Sequence, residues 1–362
     1  MDAENNKFIY CLKEIKLRYK ELTKAIRNSK IYYSLKSNNN ASILEYLVSL
    51  GLEAEVSSPG ELDAAIGSGF NTSNIVYGGP GKTVDEIYYA AEKGVTYFSL
   101  ESLTELSRLD AVEGLLQLKL KRIIRLFVAN NKGRLNMMMP NSKFGITINE
   151  LISYITKSKK IIYGIHIYNG TQINESDFRN SIHQTNKAVL DVERAIGYKL
   201  KYVNYGGGLE WPYMKSGTKI ITGEKITGIM ENIEACFEFG RYLVASSGTL
   251  EMAVLDVKER NDQQVLIVSA GVNIINGISA SGRLINQKPD FNIVKCQSSA
   301  RLIPTAIYGP LCTPVDYMTL DTSLPSMQPG DVLSIPNCGA YAQNTGLTNF
   351  LLRKPAKEII IE

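Results

Sequence analysis

The sequence predicts an α/β protein: a closed barrel of alternating strands and helices, followed by a β domain. Between about residue 30 and residue 245, short β-rich runs alternate with helical stretches, the pattern of parallel strands joined by crossover helices. That unit repeats at a regular pitch, which favours closure into a barrel. Past about residue 250 the helical periodicity fades, and β-rich runs bounded by Gly, Pro and Asp take over. With 362 residues and 44% hydrophobic content, the chain can bury a barrel of roughly 250 residues plus a smaller module.

Taken in order, Lys7-Phe-Ile-Tyr-Cys11 reads as a strand that joins the later β domain, so that the two ends of the sequence meet; residues 13–29 then form the first barrel helix. Ile31 to Leu35 is a strand. Thr83-Val-Asp-Glu86 is a capping box, in which each side chain satisfies the other residue's backbone N–H. Val84, Ile87, Tyr88 and Ala91 fall on one face of the helix it opens, Gly94 stops that helix, and Thr96 to Leu100 is a strand. The same grammar gives a helix opening at Ser102 to Glu105, a strand over Ile123 to Val128, a helix opening at Thr147 to Glu150 and a strand over Ile161 to Ile167. In the second part Val254 to Lys258, Gln264 to Ser269 and Val332 to Ile335 read as strands. The expected division is a barrel over 12–245 and a β domain from 1–11 and 246–362.

Composition excludes several classes of function. The 40 basic and 36 acidic residues nearly cancel, and no Lys/Arg cluster is interleaved with aromatics, so a nucleic-acid partner is not expected. No apolar run reaches the ~18 residues of a membrane span, and Met-Asp-Ala-Glu-Asn-Asn-Lys7 lacks the apolar core of a signal peptide; the expectation is a soluble, cytoplasmic chain. Five cysteines without CxxC spacing argue against a disulfide framework, and no metal site is legible.

The chemistry gathers where the strands end. Lys36 lies just past an apolar strand, where a barrel presents catalytic groups, and an amine there can form a Schiff base with an aldehyde cofactor. Alone it would read as a solvated strand-end lysine. Tyr205-Gly206-Gly207-Gly208 follows the strand-like Tyr202-Val203-Asn204, and three glycines let backbone N–H groups close on a phosphate; alone they would read as a turn. In Phe237-Glu238-Phe239-Gly240-Arg241 a carboxylate and a guanidinium flank a glycine and can hold a pyridine nitrogen and a phosphate, or simply form a surface ion pair. His166 ends a strand, where its ring can stack on a planar cofactor or serve the core; His183, in a helical stretch, is given no role. Cys312, in the proline-broken Tyr308-Gly-Pro-Leu-Cys-Thr-Pro-Val-Asp316, is the cysteine best placed for functional exposure, against the alternative of a buried inert thiol.

Together these segments resemble the ornithine/diaminopimelate decarboxylase family from about residue 8 to the C-terminal end. Tyr33-Ser-Leu-Lys36-Ser-Asn38 is similar to that family's cofactor-lysine motif, Gly51-Leu-Glu-Ala-Glu-Val-Ser-Ser-Pro-Gly-Glu-Leu62 to its next barrel segment and Ser142-Lys-Phe-Gly145 to another. His166-Ile-Tyr-Asn-Gly-Thr171 stands where the family has its stacking histidine and a small polar phosphate ligand, with Tyr168-Asn169 in place of Gly-Ser. The glycine run and Glu238-Phe-Gly-Arg241 match its phosphate and pyridine sites, with Phe239 replacing proline. Gly339-Ala-Tyr341 resembles the motif whose tyrosine reaches the phosphate, and Asn349-Phe350 a closing Phe-Asn segment in reversed order.

The resemblance implies an alanine-racemase-like (β/α)8 barrel with a β-sandwich or β-barrel domain, and pyridoxal 5′-phosphate as cofactor, held by Lys36, His166, Asn169, Gly206, Gly207, Gly208, Glu238, Gly240, Arg241 and Tyr341. It also implies a homodimer in which Cys312 enters the partner's active site. Lys36, Cys312 and His166 are then the catalytic set: the substrate amine displaces Lys36, carbon dioxide leaves, and Cys312 returns a proton to Cα. Thr313, Asp316 and Arg125 are candidate substrate contacts, with Asp316 also shaping the cysteine loop. Relatives that act on free diamino acids place Asp or Glu after the cysteine, whereas this chain has Thr313-Pro314. That departure, with Ala270-Gly-Val-Asn273 and Ser279-Ala-Ser-Gly282, looks more like relatives from antibiotic and other secondary-metabolite clusters, which process amino acids attached to a carrier or larger metabolite. Free-substrate decarboxylation and racemisation or epimerisation are the alternatives on the same barrel. A cofactor-free regulatory binding protein is the alternative from another class, opposed by the joint presence of Lys36, Glu238, Arg241 and Cys312.

Overall fold

The computed structural model describes residues 6–128, 142–222, 224–275, 288–296 and 301–362. The chain divides into two compact units, one of Tyr19–Glu210 and Ile220–Tyr242, the other of Met1–Arg18, Trp211–Lys219 and Leu243–Glu362.

After β1 (Lys7–Cys11) and α1 (Leu12–Ala25), the first unit is built from β2 (Lys30–Ser34), α2 (Ala41–Ser49), β3 (Glu53–Val56), α3 (Pro59–Gly67), β4 (Val76–Tyr77), α4 (Val84–Glu92), β5 (Tyr97–Leu100), α5 (Leu103–Leu116) and β6 (Lys121–Arg125). It continues through α6 (Ile148–Ser158), β7 (Gly164–His166), α7 (Glu175–Ile196), β8 (Tyr202–Gly207) and β9 (Glu234–Phe239), followed by the short α8 (Arg241–Val244). Strands β2 to β9 pair in sequence order, all parallel, and β9 closes on β2 with Lys30 opposite Cys236. This is the expected eight-stranded barrel. Its interior layer is aromatic: Tyr32, Val76, Tyr97, Ile123, Tyr202 and Cys236 form one buried cluster with a residue from each of six strands. Gly164 belongs to this packing, because a Cβ there would stand 2.2 Å from the Tyr202 carbonyl oxygen.

Helix starts explain why each strand turns back. The side chains of Asn40, Ser58, Thr83, Ser102, Thr147 and Asn174 each accept a backbone N–H three residues on, and Thr83 with Glu86 and Thr147 with Glu150 complete the capping boxes read from the sequence. Each cap contributes about 1 kcal/mol and sets where the chain leaves the strand's C-terminal end.

The second unit is a mixed sheet of β10 (Gly248–Arg260), β11 (Gln263–Val268), β12 (Asn292–Lys295), β13 (Leu302–Tyr308), β14 (Tyr317–Pro325), β15 (Val332–Ile335) and β16 (Lys357–Ile361). The strand order is β12-β15-β10-β11-β13-β14, and β1 pairs antiparallel with β10 and parallel with β16, Lys7 lying opposite Lys357. The first strand thus joins the β sheet, as expected. Trp211–Lys219, which the sequence reading left inside the barrel range, belongs here for a physical reason. Trp211 Nε1 donates to Asn337 Oδ1 at 2.8 Å, and Asn337 Nδ2 donates to the Lys215 and Gly217 carbonyls at 2.6 and 3.0 Å. Among the described residues no helix is long and apolar enough to cross a membrane.

Candidate active site

The C-terminal ends of the barrel strands collect the polar groups. Lys36 sits in the single turn Leu35–Ser37 that follows β2; the neighbouring Leu35 and Ser37 are buried, while the Lys36 side chain is half-exposed. Ser37 Oγ donates to the Ser34 carbonyl at 2.8 Å and Tyr33 Oη to the Asn38 carbonyl at 2.7 Å, bracing the turn. Lys36 Nζ meets Glu55 of β3 at 2.9 and 3.2 Å, and Ser57 Oγ donates to the same carboxylate at 3.0 Å. Burial pushes the Glu55 carboxyl up, but the Lys36 charge and these hydrogen bonds outweigh it and hold Glu55 below its ordinary range.

His166, the last residue of β7, is buried, with Nδ1 3.1 Å from Ser99 Oγ of β5. Among the described residues its Nε2 has no hydrogen-bond partner, and it lies 3.6 Å from Glu238 Oε2 of β9, beyond hydrogen-bond reach. Burial first, then the charges of Arg125, Lys36 and Lys82, depresses the imidazole well below its usual value, so the ring is neutral and the contact is not an ion pair. Glu238 shifts the other way: burial and the nearby Glu55 charge push it up to about 7. Asn204 Nδ2 of β8 donates to Glu238 Oε1 at 2.6 Å, and its Oδ1 accepts from the Gly206 N–H at 2.8 Å.

The glycine run differs from the reading of the sequence. Strand β8 runs through Gly207 rather than ending before the glycines, with Gly207 paired opposite Glu238. A Cβ at Gly207 would stand 1.7 Å from the Glu238 carbonyl oxygen and one at Gly208 2.0 Å from that of Gly170. Gly206 (φ 67°) would put one 2.7 Å from the Ile167 carbonyl oxygen. The glycines are therefore required by close backbone approach between strand ends, not merely to leave room for an anion. Gly240 is similar: a Cβ would press on Ser37 in the Lys36 turn at 2.7 to 2.8 Å. Asn169 is buried, its Nδ2 donating to the Tyr205 carbonyl at 2.9 Å, and Arg241 opens α8 directly after Gly240.

Arg125, which ends β6, is buried and pairs with Glu101 at 2.9 Å; its guanidinium lies 4.4 Å from the Phe144 ring centre and 5.3 Å from that of Tyr168. Beside it Lys82 and Glu105 form a second buried pair at 2.8 Å. Glu55, Asn204, Ser99 and Glu101 were not singled out in the sequence. For Glu55 the available signal was a charged residue in a buried strand one register step from the Lys36 turn.

The remaining candidates belong to the second unit. Cys312 is exposed in the loop between β13 and β14, with Thr313 beside it donating its N–H to the Leu311 carbonyl at 2.8 Å. Asp316 closes that loop: it is 2% exposed, and its two oxygens accept from the Val272 N–H at 2.8 Å and the Leu311 N–H at 2.7 Å. Both oxygens are thus engaged by backbone, which suits the loop-shaping role better than the substrate contact. Tyr341 is half-buried at left-handed φ 60°. Ala270 to Asn273 lies within the described residues, and Ser279 to Gly282 lies outside them.

The barrel and the groups at its mouth define a barrel enzyme that presents a lysine amine beside buried carboxyls and a neutral imidazole. The chain belongs to the family described as pyridoxal-dependent decarboxylase, pyridoxal binding domain, whose model matches residues 12–249. It is similar to the diaminopimelate decarboxylase of Helicobacter pylori strain J99, 29% identical over 345 residues, 92% of this chain and 84% of that protein. It is likewise similar to the L-glutamyl-[BtrI acyl-carrier protein] decarboxylase of Niallia circulans, 28% identical over 353 residues, 91% and 82% of the two chains. A crystal structure of the Helicobacter pylori diaminopimelate decarboxylase (I148L mutant), complexed with L-lysine, superposes with a TM-score of 0.87 at 26% identity, covering 99% of this chain and 92% of that one. The protein is a pyridoxal-phosphate-dependent amino-acid decarboxylase. The residues present fit that cofactor: Lys36 offers an amine for its aldehyde, and the buried His166 Nε2, orphaned among the described residues, faces the Glu238 carboxyl at the same mouth.

Proposed function

We propose that the substrate is an α-amino acid moiety carried on a larger metabolite or carrier protein, and that this chain decarboxylates it in secondary-metabolite biosynthesis. The observation that carries this reading is Thr313. The position directly after Cys312 bears no carboxylate to receive a distal ammonium, so a free diamino acid would leave that charge without its counter-ion there. The similarity to a decarboxylase named for a carrier-linked glutamyl group supports it. The relatives named diaminopimelate decarboxylase support the second reading, a free diamino acid.

In the proposed site Lys36 would hold the cofactor through Nζ. When bound, pyridoxal phosphate supplies the electron sink for loss of the Cα carboxylate. Glu238 would hold a proton at the pyridine nitrogen, whose positive charge would offset the burial that pushes this carboxyl up to about 7. His166 would pack its neutral ring on the cofactor. Gly206, Gly207, Gly208, Asn169, Arg241 and Tyr341 would hold the phosphate, with Gly240 seating Arg241 against the Lys36 turn. Cys312, contributed by the partner subunit of a homodimer, delivers a proton to Cα; Thr313 and Arg125 face the substrate, and Asp316 fixes the cysteine loop. A cytoplasmic setting accords with the free thiols of Cys11, Cys236, Cys312 and Cys338.

The test is carbon dioxide release by cofactor-loaded protein against free diamino acids, neutral amino acids and carrier- or nucleotide-linked amino acids, with Lys36→Ala as control. Release confined to linked substrates is expected. Robust turnover of free ornithine, lysine or diaminopimelate would sink the conjugated-substrate reading.

A further inference from the structure

The Lys36 amine does not stand alone at the end of its strand. The Glu55 side chain is only 6% exposed and reaches it with both oxygens. Three features show that this carboxylate is built in rather than casually adjacent. Glu55 lies in register with Ser34, the last residue of β2, so sheet pairing itself delivers it to the Lys36 turn. Ser57 Oγ holds Oε1 from the far side, and the Gly78 position leaves only 3.1 Å between that oxygen and an ideal Cβ, so a larger residue there would press on the carboxylate. A buried carboxylate is costly unless paired, and here the pair is the cofactor lysine of the reading above.

We propose that Glu55 is the positioning residue of Lys36: it aims the amine before the cofactor arrives and afterwards serves as the counter-charge that keeps the lysine–cofactor nitrogen protonated. A protonated linkage is the more electrophilic form and the one a substrate amine displaces readily, so Glu55 would act on exchange at Lys36 and not on carbon dioxide loss. The other ionisable groups around this nitrogen are Glu61 of α3, Glu238 of β9, His166 of β7, Arg125 of β6 and Lys82. Glu61, whose carboxylate accepts the Ser57 N–H at 2.7 Å, is itself raised by burial and by the Glu55 charge. His166 is neutral and Glu238 is raised, while Arg125 and Lys82 are each paired with their own glutamate. Glu55, among these groups, is in direct contact with the amine through both oxygens.

The inference rests on Lys36 carrying the cofactor, and the experiment separates the two. Borohydride reduction of the loaded parent followed by peptide mapping must place the pyridoxyl group on Lys36; its appearance on another lysine would overturn the cofactor assignment and this inference with it. Given that label, the visible spectrum of parent, Glu55→Asp and Glu55→Gln is titrated with pH. The midpoint for loss of the linkage proton should fall by about one pH unit or more in Glu55→Gln, since an opposite charge at this range moves a pKa by 1–3 units. Glu55→Asp, which keeps the charge but draws it back by one methylene, should fall between the two. Midpoints for both variants that coincide with the parent would overturn the proposal. Should Glu55→Gln fail to fold, Glu55→Asp decides alone: a lowered midpoint supports Glu55 and a parental one overturns it.

Discussion

His166 Nε2 and Glu238 Oε2 face one another at 3.6 Å, both side chains less than 10% exposed, with Ser99 fixing the imidazole from one side and Asn204 fixing the carboxyl from the other. Neither group can satisfy the other at that distance. Burial drives the two pKa values apart in opposite chemical senses, the imidazole towards its neutral base and the carboxyl towards its neutral acid. The site therefore holds less net charge than its residue types suggest, and its proton inventory turns on Glu238 near neutral pH.

That inventory is measurable as stability. Because the folded pKa of Glu238 is raised from 4.5 to about 7, the native state binds a proton that the unfolded state has lost across that window. Its contribution is complete below the unfolded value and is lost as pH rises towards 7, up to about 3 kcal/mol in all. In cofactor-stripped protein, urea midpoints measured from pH 4.5 to 8 should decline with pH more steeply for the parent than for Glu238→Gln, which cannot titrate. Parallel curves would show that the carboxyl is not held up in this way.

Gly207 tests why the glycine run exists. A methyl group there would collide with the Glu238 backbone oxygen, and backbone cannot move aside as a flexible side-chain end can. Gly207→Ala should lose about 3 kcal/mol or more of stability even without cofactor. Were the glycines there only for phosphate access, stability without cofactor would be unchanged and only cofactor affinity would fall, as equilibrium dialysis would report.

Asp316→Asn probes the cysteine loop. One of the two N–H groups now accepted by Asp316 would face an amide NH2, at a cost of about 1–3 kcal/mol. With the loop loosened, kcat should drop while the cofactor bound per subunit, read from the visible band, stays at the parental level. A parallel loss of cofactor would place the effect in the fold rather than in the loop.

The proposed sharing of the site between subunits makes a further prediction. Cys312→Ala alone should lower kcat by about 10²- to 10⁴-fold, the scale of a missing general acid, with the cofactor still attached. Mixing inactive Lys36→Ala and Cys312→Ala chains under conditions of subunit exchange should restore about one quarter of parental activity, because half the dimers then carry one intact site. No recovery on mixing, with exchange verified by native mass spectrometry, would place Cys312 and Lys36 in the same chain's site.

Much of this was legible in the sequence because the signals are local. The capping boxes at Thr83 and Thr147 are read from four residues each, and Lys36 is marked by the strand it follows. Glu55 was not legible, since its meaning depends on register across two strands and on a partner 19 positions away. The glycine run was legible, but the backbone approach that requires it was not: each of the three glycines faces a carbonyl of a neighbouring segment, which no window of sequence contains. The assignment of Trp211–Lys219 failed for the same reason, being decided by Asn337, more than a hundred residues downstream.

The side-by-side pairing of β1 with β16 bears on the order of folding during synthesis. The barrel strands leave the ribosome in pairing order, and apart from the closing pair of β9 with β2 each finds its next neighbour within a few tens of residues. Strand β1, in contrast, has to wait for β16 far along the chain, since Lys7 to Cys11 aligns with Lys357 to Ile361. Until then one flank of β1 presents unsatisfied backbone to the cell, the condition under which nascent sheets attract the wrong partner. The β unit should therefore be the late, chaperone-sensitive step of maturation, and its ladder the structure whose amide protons gain protection last.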